Sequence, residues 1–119
     1  MSEEVYPKPT AARAKRRREL APEAEEAFRA FGRAVFRDGA LSAKVKQLIA
    51  VAVAHVTQCP YCIRGHVRAA VRSGASAEEV MEAIWVAAEM RAGAAYAHSH
   101  LALAALEEAE EEAGRGKPD

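Results

Sequence analysis

Residues 48–54 read Leu-Ile-Ala-Val-Ala-Val-Ala, apolar on every side. A helix of that composition offers water no favourable face, so it must be buried all round. The valines alone would suit a strand, but the interleaved alanines and the length of the segment favour helix. This one stretch constrains the whole fold. A chain of 119 residues has enough for one domain and one modest core. A helical bundle that small struggles to cover a helix with no polar side. Association with further copies of the chain is therefore expected, and the Ala-rich surfaces of the later helices allow close packing.

The rest of the chain is helical in pattern. Thr10 can cap a first helix running to about Leu20, and Pro22 suits the first turn of a second. In that second helix Ala24, Phe28, Phe31 and Val35 recur at spacings of four, three and four. This is an amphipathic period, and its aromatic residues read as core. Asp38-Gly39 punctuates its end, and Ser42 opens the third helix. The fourth starts at Cys59 or Pro60 and ends near Ser73-Gly74. Ser76 with Glu79 three residues on is a capping pair, followed by a stripe of Val80, Ile84, Ala87 and Ala88. Gly93 marks a break, with a last helix from there to about Ala113 and a frayed tail over residues 114–119. No segment alternates polarity as a strand would, and no long repeat is present. The expected architecture is all-α, a helical bundle of about six helices in a single domain, 1–119. Its core spans about 22–110, with a basic N-terminal helix and an acidic C-terminal tail at the periphery.

Half the residues are hydrophobic and 29% are charged, an ordinary globular balance that argues against disorder. No apolar run is long enough to span a bilayer. The start, Met1-Ser2-Glu3-Glu4, is acidic and has no apolar signal region, so a cytoplasmic location is expected. Seventeen basic residues balance seventeen acidic ones, which makes no general case for nucleic acid. The charges are nonetheless segregated. Arg13, Lys15, Arg16, Arg17 and Arg18 form a basic block, and Glu107, Glu108, Glu110, Glu111 and Glu112 an acidic one. These are two solvated helix faces, or else opposite charges that pair between subunits, or, last, a nucleic-acid contact through the basic block.

The two cysteines are Cys59 and Cys62, within Cys59-Pro60-Tyr61-Cys62. A secreted disulfide scaffold would show more cysteines, spread along the chain. A lone CxxC reads instead as redox-active or metal-binding. At a helix N-terminus, unpaired N–H groups and the positive end of the macrodipole favour thiolate over thiol. Pro60 at the first helical position fixes that geometry without losing a hydrogen bond. Cys62, three residues on, shares the face, so a disulfide between the two can open and close readily. His66 follows Cys62 by four residues, about 40° of rotation and about 6 Å of rise. Helical side chains lean toward the N-terminus, so His66 points back at Cys62 and can take its proton.

Other readings compete with redox chemistry. His55, Cys59, Cys62 and His66 have the spacing H-x3-C-x2-C-x3-H of a zinc site, although Cys59 and His66 lie two turns apart on one helix. Two inert buried thiols beside a hydrogen-bonded core histidine would make a purely structural oligomer. A thiol sensor of oxidants without turnover is a further alternative. The CPYC tetrad also occurs in glutaredoxins, but their βαβ pattern is absent. His98 and His100, flanking Ser99, read as surface or interface residues. No cofactor and no resident metal is expected.

The stretch 46–55, Lys-Gln-Leu-Ile-Ala-Val-Ala-Val-Ala-His, followed by Cys59-Pro60-Tyr61-Cys62-Ile63-Arg64-Gly65-His66, resembles the carboxymuconolactone decarboxylase family, in its alkylhydroperoxidase D-like branch. The resemblance covers roughly residues 22–110. The helix over 76–90 and the run Arg91-Ala92-Gly93-Ala94 fit it as well. It implies an all-α fold, a trimer or hexamer, and thiol-dependent reduction of peroxides or disulfides, with a lipoyl or other dithiol as electron donor. It implies that Cys62 is the peroxide-reactive thiol, that Cys59 resolves it, and that His66 belongs to a proton relay. The decarboxylase branch lacks a CxxC here, so lactone decarboxylation is not expected. Two positions depart from the pattern. The relay's glutamate, twelve residues before the first cysteine, is Gln47, which cannot act as a base. The histidine that better-known members carry between the cysteines is Tyr61. His55 lies on the same helix side as Gln47 and is a candidate replacement in the relay.

Overall fold

A computed structural model of the chain describes residues 5–116. The acidic Met1-Ser2-Glu3-Glu4 start and the Lys117-Pro118-Asp119 end of the tail lie outside the described residues. The described chain is all-α, with helices α1 (Ala11–Leu20), α2 (Pro22–Phe36), α3 (Ala43–Thr57), α4 (Pro60–Arg72) and α5 (Ala77–Gly116). The starts follow local chemistry. Thr10 accepts the Arg13 N–H at 3.1 Å, and Ser42 accepts that of Val45 at 3.2 Å. Ser76 and Glu79 close a reciprocal box, each side chain accepting the other's N–H at 3.1 and 2.9 Å. Such caps satisfy donors that a helix cannot pair internally.

The helix count is five because α5 continues through Gly93 for 40 residues. A glycine costs a helix interior about 1 kcal/mol relative to alanine, but it keeps its N–H, unlike proline. Alanines on both sides of Gly93 carry the helix across it. The end of α4 does turn on a glycine. Gly74 has φ +98, and the Ala75 N–H reaches back to the Ala70 carbonyl at 2.9 Å.

The core is small and belongs to three helices. Helix α3 packs on both α4 and α5, and Val51, fully buried, meets Ala70, Ala75 and Val80 with Leu48, Val67 and Ile84 around them. Only this side of α3 is covered. Val53 on the other side is 52% exposed, and Ile49 and Val45 are also open. The all-round burial expected for residues 48–54 is therefore not met within one chain. Nor do the α2 aromatics form core: Phe28 is 72% and Phe31 65% exposed. Their spacing is that of a packed helix, but α2 packs only lightly on α1 and α3 and reaches α4 through Phe36 at its end. The chain has nothing to place against that stripe.

The shape follows from this. The radius of gyration is 22.4 Å, against about 13.5 Å for a compact chain of this length. The accessible surface is 9782 Å², against about 6,300 Å² for a folded monomer of this mass. Among the described residues no helix is long and apolar enough to cross a membrane.

Candidate active site

A one-residue turn sets up the dithiol. Gln58 ends α3 in the left-handed conformation, φ 57, ψ 46, which costs a non-glycine residue roughly 1 kcal/mol or more. The turn lets the Cys59 N–H return to the Ala54 carbonyl at 3.2 Å and starts α4 at once. Cys59 is the N-cap of α4, and Pro60 occupies its first turn. The Cys59 sulfur takes the capping role of a serine oxygen, accepting the Cys62 N–H at 3.2 Å. Both cysteines are free and partly exposed.

The two sulfurs differ in acidity. Cys59 ionises below the ordinary thiol range, chiefly because the Cys62 thiol donates to its sulfur, and then because the Cys62 and Tyr61 amides point there. Cys62 is pushed upward, chiefly because its hydrogen serves Cys59, then by burial and by repulsion from the Cys59 thiolate. Of the pair, the first cysteine is therefore the readier to ionise and the second the readier to keep its proton.

His66 sits one turn beyond Cys62, as the spacing requires. Its Nδ1–H donates to the Gln47 side-chain oxygen at 2.8 Å, which leaves Nε2 as the nitrogen able to take a proton. Phe36, the last residue of α2, stacks on the ring at 5.2 Å between centroids. Cys62 and His66 line one cavity of about 530 Å³ with Val35, Phe36, Ile49 and Val53. They make no direct hydrogen bond to each other, so a proton would pass between them through water or substrate. Lys46 also borders this apolar space, with its ammonium held on the Arg37 carbonyl at 2.7 Å.

The structure thus gathers Cys59, Cys62, His66 and Gln47. His55 is placed apart from them. Its Nδ1–H donates to the Val51 carbonyl of its own helix at 2.7 Å, and it does not line the cavity. Among the described residues no group of three or more His, Cys, Asp or Glu is arranged to hold a metal ion. His55, Cys59, Cys62 and His66 therefore do not form the tetrahedral cluster that their spacing allowed. His98 donates to the Ala94 carbonyl at 2.7 Å on the exposed surface, and His100 is exposed too. Phe36 is the site residue that sequence reasoning missed. It falls one position beyond the apolar stripe of α2, and no local signal says that it meets a ring thirty residues away.

On the other side of α4, the Tyr61 hydroxyl donates to the Pro7 carbonyl at 2.7 Å, and its ring meets Tyr6 edge-on at 5.9 Å. Where the better-known branch members carry a histidine, this chain uses the position to tie down its N-terminal segment.

Comparison with known proteins bears on this geometry. The family model described as carboxymuconolactone decarboxylase family matches residues 22–110. An uncharacterised protein of the cox locus in Paracoccus denitrificans is 68% identical over 84 residues, which are 71% of this chain and 76% of that protein. Among solved structures, a carboxymuconolactone decarboxylase family protein from Legionella pneumophila is 36% identical with a TM-score of 0.65. The match covers 82% of this chain and 87% of that one. A family protein from Thermotoga maritima, for which a part in an antioxidative response has been suggested, is 33% identical with a TM-score of 0.54. That match covers 78% of this chain and 96% of the other.

Proposed function

The chain belongs to the carboxymuconolactone decarboxylase family, and we propose that it is an alkylhydroperoxidase D-like thiol oxidoreductase reducing peroxides or disulfides. The observation that carries this reading is the geometry of the dithiol: the Cys59 sulfur caps α4 on the Cys62 N–H, and Cys62 shares an apolar cavity with His66. In the proposed cycle His66 Nε2 accepts the Cys62 proton, and the Cys62 thiolate attacks the terminal peroxide oxygen. The O–O bond breaks, Cys62 becomes a sulfenic acid, and the alkoxide leaves with a proton as alcohol. The Cys59 thiolate then attacks the Cys62 sulfur and displaces hydroxide, which takes a proton from solvent and leaves as water, forming the disulfide. A lipoyl or other dithiol donor attacks Cys59, returns two electrons and leaves as its own disulfide. The Gln47 oxygen holds His66 in the required tautomer throughout.

The dithiol is expected to cycle as a unit. After reduction two thiols per chain should be alkylated, and after mild oxidation none, without covalent dimers on a non-reducing gel. Limiting iodoacetamide at neutral pH should label Cys59 before Cys62, because thiolate is the reacting form. Intact-mass and peptide analysis reads both results. Two alkylatable thiols surviving the oxidant would exclude the cycle.

His66→Ala is expected to slow peroxide reaction near neutral pH by about 10²-fold. The Cys62 thiol lies high, so few molecules ionise there unaided. As pH rises through that ionisation the thiolate forms without a base, and the deficit should shrink. Gln47→Glu should speed the reaction, since a carboxylate on Nδ1 stabilises the imidazolium that proton transfer creates. His55→Ala should change little. Stopped-flow rates against pH for the three variants test the scheme. Profiles for His66→Ala and the parent that coincide in height and midpoint would remove His66 from it.

The working form proposed is a homo-oligomer, a trimer or hexamer, in the cytoplasm, with no nucleic-acid or membrane partner. The bare side of α3 and the surface in excess of a compact monomer support self-association.

A further inference from the structure

Two parts of this chain find little to touch within it. One is the hairpin of α1 and α2, where α1 contacts only α2. The other is the outer part of α5. The Arg91 guanidinium donates to the Val56 carbonyl at 2.8 Å, and beyond Gly93 every residue from 94 to 115 is exposed. That arm is about 33 Å long at 1.5 Å per residue. Both parts are apolar as well as charged. The hairpin exposes Leu20, Phe28 and Phe31, and the arm exposes Tyr96, Leu101, Leu103 and Leu106. An open groove of about 560 Å³ between α1 and α2 is walled by Phe28 and floored by Gly32, where even an added Cβ would meet nothing within 4 Å.

We infer that the acidic arm of one copy lies along the basic α1–α2 hairpin of a second copy of this chain. The charges choose this pairing over the alternatives. On α1, Arg16 and Arg18 have no ion pair among the described residues. On the arm the same holds for Glu107, Glu108, Glu110 and Glu112. Two arms side by side would set the acidic ends together, and two hairpins face to face would oppose the basic blocks. Only arm on hairpin satisfies both. Exposed ion pairs contribute little each, so the affinity comes from Phe28, Phe31 and the arm's leucines and tyrosine. The charges select partner and direction. The excess surface is of the size that permanent interfaces bury, about 2,000–5,000 Å² in all. The inference rests on the proposed self-association but not on the thiol chemistry.

Charge exchange in the full-length protein tests it. Arg16→Glu/Arg18→Glu and Glu108→Arg/Glu112→Arg are made as separate chains, neither touching the dithiol site. Each alone should show a lower mass by light scattering at about 0.1 M salt, where exposed charges still interact. The association constant should fall roughly tenfold or more, about 1.4 kcal/mol. Mixed one to one, the chains should recover mass over either variant alone, because acidic surfaces again meet basic ones between unlike chains. Carbodiimide cross-linking of mixed ¹⁵N-labelled and unlabelled parent should join Lys15 to Glu107 or Glu108 in peptide pairs of mixed isotope. Unchanged mass in both variants, failure to recover on mixing, or cross-links of one isotope only would overturn the contact. A monomeric parent, including one that instead retards a single-stranded DNA 20-mer, overturns it together with self-association. An oligomeric parent whose cross-links join other segments overturns the contact alone.

Discussion

Cys62→Ser is expected to reduce peroxide turnover to the uncatalysed background, a loss on the order of 10³-fold or more, because removing the nucleophile removes the covalent route. Cys59→Ser should behave differently. Serine still offers an oxygen acceptor but cannot carry the charge of a thiolate, so the repulsion that holds the proton on Cys62 is removed, and Cys62 should ionise at lower pH than in the parent. One equivalent of peroxide should then be consumed at least as fast, leaving a sulfenic acid on Cys62 that no neighbour resolves. Dimedone adds to that species and shifts the peptide mass, while multiple turnover with a dithiol donor stops. The two variants thus separate attack from resolution: one loses the first reaction, the other keeps it and loses the cycle. A Cys62→Ser protein that still forms a dimedone adduct at Cys59 and turns over would reverse the assignment of roles. Equal residual turnover in both variants would remove the dithiol from the chemistry.

The second large effect concerns stability. Among the described residues Val51 is the one large side chain with no exposure at all, and it joins α3 to α4 and α5 at Ala70, Ala75 and Val80. Val51→Asp forfeits the burial of a valine, about 1.5–3 kcal/mol, and adds an unpaired carboxylate in an apolar site. The total should exceed about 4 kcal/mol, most of the margin of a small domain. The variant is expected to lose its cooperative thermal transition or to be recovered unfolded, as circular dichroism would register. Val51→Ala leaves a cavity and no charge. It should cost about 2 kcal/mol and lower the melting temperature by about 10 °C. A Val51→Asp chain melting within a few degrees of the parent would mean that this junction is not what holds α3, α4 and α5 together.

Much of the architecture was legible in residue order alone. Thr10, Ser42 and the Ser76–Glu79 box announce helix starts because capping is settled within four residues. The dithiol was legible for the same reason. Cys59, Pro60 and Cys62 span one turn, so their capping geometry needs no distant partner. Family membership was legible in the same stretch, because residues 46–66 hold the motif in one short segment. Gly93 misled, since its intrinsic cost is small enough for alanine-rich flanks to override.

What the sequence by itself determined, then, is whatever one helical turn decides: the helices, their caps and the dithiol at the head of α4. Tertiary structure alone decided which apolar faces are covered. Phe28, Phe31 and Val53 carry the same hydrophobic signal as Val51, but burial depends on what stands opposite a face, and the chain sets α4 and α5 opposite Val51 only. It also decided that His66 pairs with Gln47, nineteen residues back on another helix, and that His55, on the same side of α3, bonds to its own backbone. Periodicity records which way a side chain points along its helix. The distance to the next helix is set by the packing of α3 against α4, and no spacing within either helix contains it.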